Sequence, residues 1–437
     1  MSLSGVAFGA DSQSRPNVVF MIADDLGWGD VSFHGGTAPT PHLTKLASEG
    51  VELTQHYVAP VCSPTRSALL TGRYWSRFGV TAPQNNRALP WDTVTLPSAL
   101  RSVGYDTAIT GKWHLGSKPE WGPNHFGFDH SYGSLAGGVS PWNHFYKQGP
   151  FVETWHRNEK LITETGHVTD LIAREATEWI ASRGEKPFFL YVPFTAVHLP
   201  IKEPEEWLTR VPAEITGDVP RHYAACVMHL DDAVGRIVAA LEKAGKRDNT
   251  LLVFTSDNGG SWVENNDLKY PDDHCPNGKL VGNNKPWRGQ KGDLYEGGIH
   301  VATLANWPAR LKPGKLESPA HIADWTPTFC SLAGYSATTD LKWDGRSLAA
   351  ALVERSPLPS RSLYWTAPGF RARAVRVDDW KLIATGEAKQ RKVELFNLAR
   401  DPGEQQELSQ QEPARVAELL RTLEQIAERD RDAVAKD

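Results

Sequence analysis

Residues 17–25 read NVVFMIADD. A short apolar β-run ends in two adjacent acids. The pattern returns three times: residues 107–110 lead to Lys112 and His114, 188–192 to His198, and 251–255 to Asp257 and Asn258. Helical patterns lie between these runs. PTPHLTKLASEG has Pro41 near its first turn and Gly50 as its stop. SPTRSALLTG offers Ser63 as cap, Pro64 at the first helical position and Gly72 as its end. TLPSALRSVG, HVTDLIAREATEWIASRG, RHYAACVMHLDDAVGRIVAALEKAG and DWTPTFCSLAG also read as helices. Alternating strand and helix predicts an α/β class over residues 16–335: a large α/β/α sandwich on a mostly parallel, mixed central sheet. HVATLANWP reads as a further strand, and the polar stretch 261–298 as a long loop, which in compact domains is often functional.

After about residue 334 the texture changes. SLYW, ARAVRVDDWKLIAT and KVELFNL read as short antiparallel strands, and EPARVAELLRTLEQIAERDRD as a terminal helix. This predicts a smaller C-terminal α+β domain over 336–437. Residues 1–15 read as a disordered terminus or the remnant of an export signal.

The chain has 437 residues, 40% apolar and 23% charged, with net charge -5, an ordinary composition for a globular protein. No Lys/Arg run or basic stripe gives reason to expect nucleic acid. No apolar run reaches the ~20 residues that span a bilayer. Cys62, Cys226, Cys275 and Cys330 are widely and irregularly spaced, which is no disulfide framework and no zinc pattern. Sixteen tryptophans suit core filling, or in a few cases a stacking surface for sugar or aryl rings.

In open α/β sheets, ligands bind at the carboxyl ends of strands. If the four runs are parallel neighbours, their polar residues meet in one crevice. Asp24, Asp25, Asp257 and Asn258 then form a hard-oxygen set. Adjacent buried acids repel unless a cation sits between them, and oxygen donors suit Ca²⁺ or Mg²⁺ over zinc. Either pair alone reads more simply as a strand-end turn; the two together favour a metal. Lys112, His114, His198 and Lys291 add cations and acid/base groups. Singly they read as surface or satisfied residues, whereas at strand exits beside a metal they suit an oxyanion ester.

Residues 61–72 read VCSPTRSALLTG. A lone cysteine is usually a small core residue. Here Cys62 stands where a helix begins, a place that favours negative charge, and Arg66 follows one turn later. The segment resembles the type I sulfatase signature, C-x-P-x-R followed by T-G, at Cys62, Pro64, Arg66, Thr71 and Gly72. PNVVFMIADDLGWGD, TGKWHLG, TAVHLP, TSDNGG and RGQKGDLYEGGIHVATLANWP are similar, in order, to the family's other motifs. The likeness runs from about residue 16 to LFNLARDPGE near 395–404.

The resemblance implies a formylglycine-dependent sulfatase of the alkaline-phosphatase-like superfamily. It implies that Cys62 is oxidised to Cα-formylglycine by a maturing enzyme that reads C-x-P-x-R. The hydrated aldehyde attacks sulfur with one hydroxyl, and the other loses its proton to expel sulfate, so release is built in. By position, Asp24, Asp25, Asp257, Asn258 and residue 62 would hold Ca²⁺ (Mg²⁺ being possible), and Asp257 would assist deprotonation of the attacking hydroxyl. Arg66 and Lys112 would stabilise the diol. His114 would take the proton that triggers release. Lys112, His198 and Lys291 would bind sulfate, with the last two protonating the leaving oxygen. Export, periplasmic or secreted, goes with the family, with a cytoplasmic location as the alternative. The chain departs from the pattern at His300, where Arg is frequent, and at Ala302, where Pro is frequent, which leaves the substrate open. In SYGSLAGGVSPWNHF (131–145), Trp142 and His144 are candidate contacts to a sugar or aryl group; packing on the surface is the other reading. A sulfated carbohydrate or aryl sulfate is the leading substrate class. A phosphonate monoester or phosphodiester hydrolase of the same superfamily, and a catalytically silent binder of sulfated glycans, are the alternatives. Oligomeric state stays open.

Overall fold

The computed structural model describes residues 15–266, 268–271, 273–386 and 390–436. The expectation for residues 1–15 therefore falls, except for Arg15, outside the described residues. Ten strands form the main sheet: β1 (Asn17–Ala23), β2 (Val51–Leu53), β3 (Asp106–Thr110), β4 (His130–Ser134), β5 (Trp155–Arg157), β6 (Lys160–Leu161), β7 (Phe188–Pro193), β8 (Thr250–Ser256), β9 (Leu304–Asn306) and β10 (Gly314–Leu316). Their spatial order is β10-β2-β9-β8-β1-β7-β3-β4-β5-β6. The inner run β8-β1-β7-β3-β4 is parallel throughout. Antiparallel pairings flank it, β9 with β8 and β5 with β4. The four strands that carry polar residues at their ends are thus consecutive neighbours, and the sheet is mixed and mostly parallel as expected.

Helices cover both faces: α1 (Pro41–Ser48), α2 (Cys62–Thr71), α3 (Leu96–Ser102), α4 (Val168–Ala181), α5 (Asp218–Lys243) and α6 (Trp325–Leu332). Side chains alternate across a strand, so β1 feeds two cores. Val18, Phe20 and Ile22 pack with Leu69 of α2, Leu100 of α3 and Phe329 of α6. Val19, Met21 and Ala23 pack with Leu46 of α1, Ile172 of α4 and Leu230 of α5. This is the α/β/α sandwich.

A second sheet, β11 (Ser362–Thr366), β12 (Ala372–Val377), β13 (Trp380–Thr385) and β14 (Lys392–Asn397), is an antiparallel meander. The terminal helix α7 (Pro413–Ala427) follows it. One face of the meander, with Leu363, Trp365, Ala374 and Phe396, joins the core that contains α2 and α3. The other, with Tyr364, Val375, Leu382 and Leu395, packs on Leu419 and Leu423 of α7. Lys381 of β13 is fully buried, 2.8 Å from both Glu296 Oε1 and Glu404 Oε1. Such a group is stable only when its charge is matched, so it pins the small sheet to the main body.

Several local expectations change. The α2 helix begins at Cys62, with Val61 as an extended N-cap and no side-chain cap bond. Ser63 lies inside the first turn, where its hydroxyl donates to the His114 carbonyl at 2.9 Å. Gly72 ends the helix as expected, with φ 69°. The strand expected in HVATLANWP shrinks to β9, because its first residues bond elsewhere: the Val301 N–H donates to the His56 carbonyl. The stretch 261–298 holds a two-residue hairpin (Glu264–Asn265 with Gly278–Lys279) and a helical turn (Glu296–Ile299); other described parts of it are loop. Among the described residues, no helix is long and apolar enough to cross a membrane.

On the α4/α5 face, His229 of α5 is sealed between two acids, 2.7 Å from Glu203 Oε2 and 3.1 Å from Asp170 Oδ1. Arg236 also reaches Asp170. Trp207 stacks on the His229 ring at 4.7 Å, and His167 at 4.8 Å from the other direction. Burial alone would lower the His229 pKa, but the neighbouring Asp170 and Glu203 carboxylates outweigh it and lift the pKa from 6.5 to about 9. The folded chain therefore holds this proton more tightly than the unfolded chain. The stabilisation is complete below about pH 6.5 and drains as pH rises through about 9. The wild type should lose up to ~3 kcal/mol relative to His229→Gln between these pH values, less any screening at half-exposed Asp170. Urea unfolding of both proteins across that window measures it; a pH-independent difference would refute the assignment.

Candidate active site

The four strand ends meet as the topology requires. Asp24 and Asp25 follow β1, Asp257 and Asn258 follow β8, His198 lies beyond β7, and Lys112 and His114 beyond β3. Asp24, Asp25, Asp257 and Asn258 are all buried. Each carboxylate has its own cation. Lys112 Nζ donates to Asp24 Oδ2 at 2.6 Å, Lys291 Nζ to Asp25 Oδ2 at 2.7 Å, and Arg66 Nη2 to Asp257 Oδ2 at 2.8 Å. His198 Nε2 lies 3.9 Å from Asp25 Oδ2.

The local chain is shaped for this convergence. Asp25 takes φ 65° and His114 φ 59°, conformations that turn the chain sharply at the strand exits. A Cβ on Gly111 would sit 2.0 Å from the Pro193 carbonyl oxygen, so only glycine lets β3 pass β7 here. The Lys112 N–H donates to that same carbonyl at 2.7 Å. Helix α2 aims its uncapped N-terminus at the crevice, with Cys62 1% exposed in its first turn. Thr65 Oγ1 donates to the Asp257 carbonyl at 2.6 Å, and Arg66 Nη1 to the Lys112 carbonyl at 2.8 Å. Ser63 and Thr65 stand at the unconstrained positions of C-x-P-x-R, so their tethering role carries no signal in the motif itself.

Electrostatics divide the site. Burial, then the Asp257 charge, lifts Asp24 to about 8, against the pull of Lys112. Burial pushes Asp25 up as well, but Lys291 and His198 bring it down to about 2. Burial raises the Cys62 thiol despite Lys112 and Lys291, so the thiol is no ready thiolate. Burial, Lys112 and Arg66 hold His114 well below the usual histidine value, and burial with Lys291 does the same to His198. Both imidazoles are neutral at neutral pH.

The donor set fits a hard cation. Donor atoms of Asp24, Cys62 and Asp257 lie within 4.8 Å of one another, as do those of Asp24, Asp25 and His198. Asp24 Oδ1 and Asn258 Oδ1 are buried without a hydrogen-bond partner among the described residues. Buried oxygens are rarely left so, and a bound cation would satisfy them.

The two candidate leaving-group contacts part company. Trp142 is on the surface, 36% exposed, its indole N–H donating to the Lys202 carbonyl at 3.2 Å. His144 is not brought to the site: it is 1% exposed, its Nε2 bonds the Gly166 carbonyl at 2.9 Å, and its ring stacks on Trp155. His300, at the departure from the family pattern, also turns into the core, between Glu296 and the Thr54 carbonyl. Ala302 is buried beside it in sequence, 2% exposed.

The description of the family model that matches residues 16–335 is Sulfatase. The chain belongs to the sulfatase family. It is a sulfatase of the alkaline-phosphatase-like superfamily, an enzyme that hydrolyses sulfate esters. Mouse arylsulfatase J is 31% identical over 96% of this chain and 77% of its own length. Mouse N-acetylgalactosamine-6-sulfatase is 29% identical over 97% of this chain and 88% of its own. The crystal structure of Ps i-CgsB in complex with k-i-k-neocarrahexaose superposes with TM-score 0.85 at 30% identity, covering 97% of this chain and 95% of that one.

Sequence reading passed over Gly137, whose role is legible only in three dimensions. A Cβ there would lie 2.1 Å from His114 Nε2. In this sulfatase, Gly137→Ala should displace the His114 ring and cut kcat by roughly a hundredfold, the cost of a misplacement of about an ångström. Circular dichroism should stay unchanged. Steady-state kinetics near wild-type values would show that His114 is not position-critical.

Proposed function

We propose that this sulfatase uses formylglycine derived from Cys62 and a bound Ca²⁺ to release inorganic sulfate from a sulfated carbohydrate, with aryl sulfates as minimal substrates. The observation that carries the reading is Cys62 at the N-terminus of a buried helix, its donor atom within 4.8 Å of those of Asp24 and Asp257. The Sγ stands in for the oxygens of the hydrated aldehyde. The names of the relatives agree with the substrate class: an arylsulfatase, an N-acetylgalactosamine-6-sulfatase and a structure holding a neocarrahexaose.

Asp24, Asp25, Asp257, Asn258 and residue 62 would hold the cation, which when bound would supply Lewis-acid polarisation of the ester and favour the ionised hydroxyl of residue 62. The hydrated aldehyde would supply one hydroxyl to attack sulfur as the sulfur–alcohol oxygen bond breaks, and a second whose deprotonation would expel sulfate. Arg66 and Lys112, both fully buried, keep the inner end of the crevice positive. His114 is neutral and takes the proton that frees sulfate. His198 and Lys291 are the partly exposed members, with side chains 13% and 18% accessible. They therefore face the opening, where the leaving alcohol must sit: the Lys291 ammonium supplies its oxygen with a proton and a positive field, while neutral His198, its Nδ1 on the Leu199 carbonyl, lines the same opening. Oxidation of Cys62 by a maturing enzyme has to precede folding, because all ten residues of α2 are buried.

A phosphodiester hydrolase would share much of this site. Comparison of kcat/KM on 4-nitrophenyl sulfate and bis(4-nitrophenyl) phosphate separates the two, and strong preference for the phosphodiester would sink the sulfatase assignment of this site. The intact mass of active protein should be lower than that of the cysteine form. Cys62→Ala should lose activity by at least ~10⁴-fold while keeping its melting temperature; retained turnover would remove residue 62 as nucleophile.

A further inference from the structure

Tyr270 lies in the loop between Glu264–Asn265 and Gly278–Lys279. Its ring is 4% exposed and meets Tyr146 edge-on, with centroids 6.1 Å apart. The Lys147 ammonium lies over both rings, at 5.5 and 5.8 Å. The Tyr270 hydroxyl is buried and has no hydrogen-bond partner among the described residues. Leaving a phenol so costs free energy that a ligand can return. The oxygen is 3.2 Å from the place a Cβ on Gly138 would occupy, and His198 Cε1 and Nδ1 are each 3.2 Å from that same point. Lys291, Asp24 and Cys62 are close enough to act on it electrostatically. The phenol therefore adjoins the open side of the site, next to the two residues that face the leaving alcohol. Burial keeps its pKa above the ordinary tyrosine value, so it is a donor at every working pH.

We propose that Tyr270 is a specificity-determining residue whose hydroxyl donates a hydrogen bond to an oxygen of the sugar that departs with the ester oxygen. The inference rests on the carbohydrate-sulfatase reading above. In that reading Arg66 and Lys112 hold the inner, sulfate end, His198 and Lys291 face the ester oxygen, and the phenol is left for the rest of the alcohol half. A side chain on Gly138 would crowd both His198 and the Tyr270 hydroxyl. A plain aryl sulfate has no oxygen next to its ester and gains nothing from the contact.

Tyr270→Phe removes one oxygen and keeps the ring packing. Formylglycine-bearing wild type and variant are compared on 4-nitrophenyl sulfate, N-acetylgalactosamine 6-sulfate and sulfated k-i-k-neocarrahexaose. On the carbohydrate that the wild type desulfates, kcat/KM should fall roughly tenfold, mostly through KM, with less than about a twofold change on the aryl ester. No loss on the carbohydrate overturns the proposal. An equal loss on both substrates also overturns it, by making the residue a sulfate contact or a packing element. A wild type that cleaves the aryl ester and neither carbohydrate refutes the substrate class itself and the proposal with it.

Discussion

Three carboxyl groups are buried together where β1 and β8 end, and burial with the Asp257 charge lifts Asp24 to about 8, so charging all three there is opposed. Charge repulsion and lost hydration both oppose that arrangement. The chain answers with one cation per acid: Lys112 for Asp24, Lys291 for Asp25 and Arg66 for Asp257. The three cations come from three different segments, so the pairing also ties the β3 exit, the start of α2 and the loop before β9 to one point. Even so the matching is incomplete, since Asp24 Oδ1 and Asn258 Oδ1 have no hydrogen-bond partner among the described residues. A donor set so arranged fits a further positive ion.

Much of the surrounding structure serves that point. The parallel order β8-β1-β7-β3 brings four strand exits side by side. Glycines appear where backbones or rings crowd: Gly111 against Pro193, and Gly137 against His114. Hydroxyls of Ser63 and Thr65 fasten α2 to the His114 and Asp257 carbonyls. Beyond the crevice, buried Lys381 couples the small antiparallel sheet to Glu296, a few residues after Lys291. The C-terminal meander thereby braces the segment that delivers one of the three cations.

The strand-helix alternation and the polar strand ends were legible because they depend on local pattern. NVVFMIADD names both a buried strand and its acidic exit, and neighbouring parallel strands turn such exits into a crevice. Helix ends were legible where backbone geometry demands a residue, as at Gly72 with its left-handed φ. Features set by distant contacts were not. Ser63 looks like a cap, but the helix begins at Cys62 and leaves Ser63 to bond His114. His144 sits in a Gly-rich aromatic stretch that suggests a pocket, yet Trp155 and the Gly166 carbonyl draw it inward. Tyr270 lies in a loop without pattern, and only the meeting of that loop with Gly138 and His198 gives its hydroxyl meaning.

Metal content tests the central claim most directly. Purified, active enzyme should contain one calcium per chain by inductively coupled plasma mass spectrometry. Asp24→Asn, which weakens the charge but keeps the shape, should lose most of that metal while remaining folded. Full activity after exhaustive chelation, in protein with no bound divalent ion, would contradict the account.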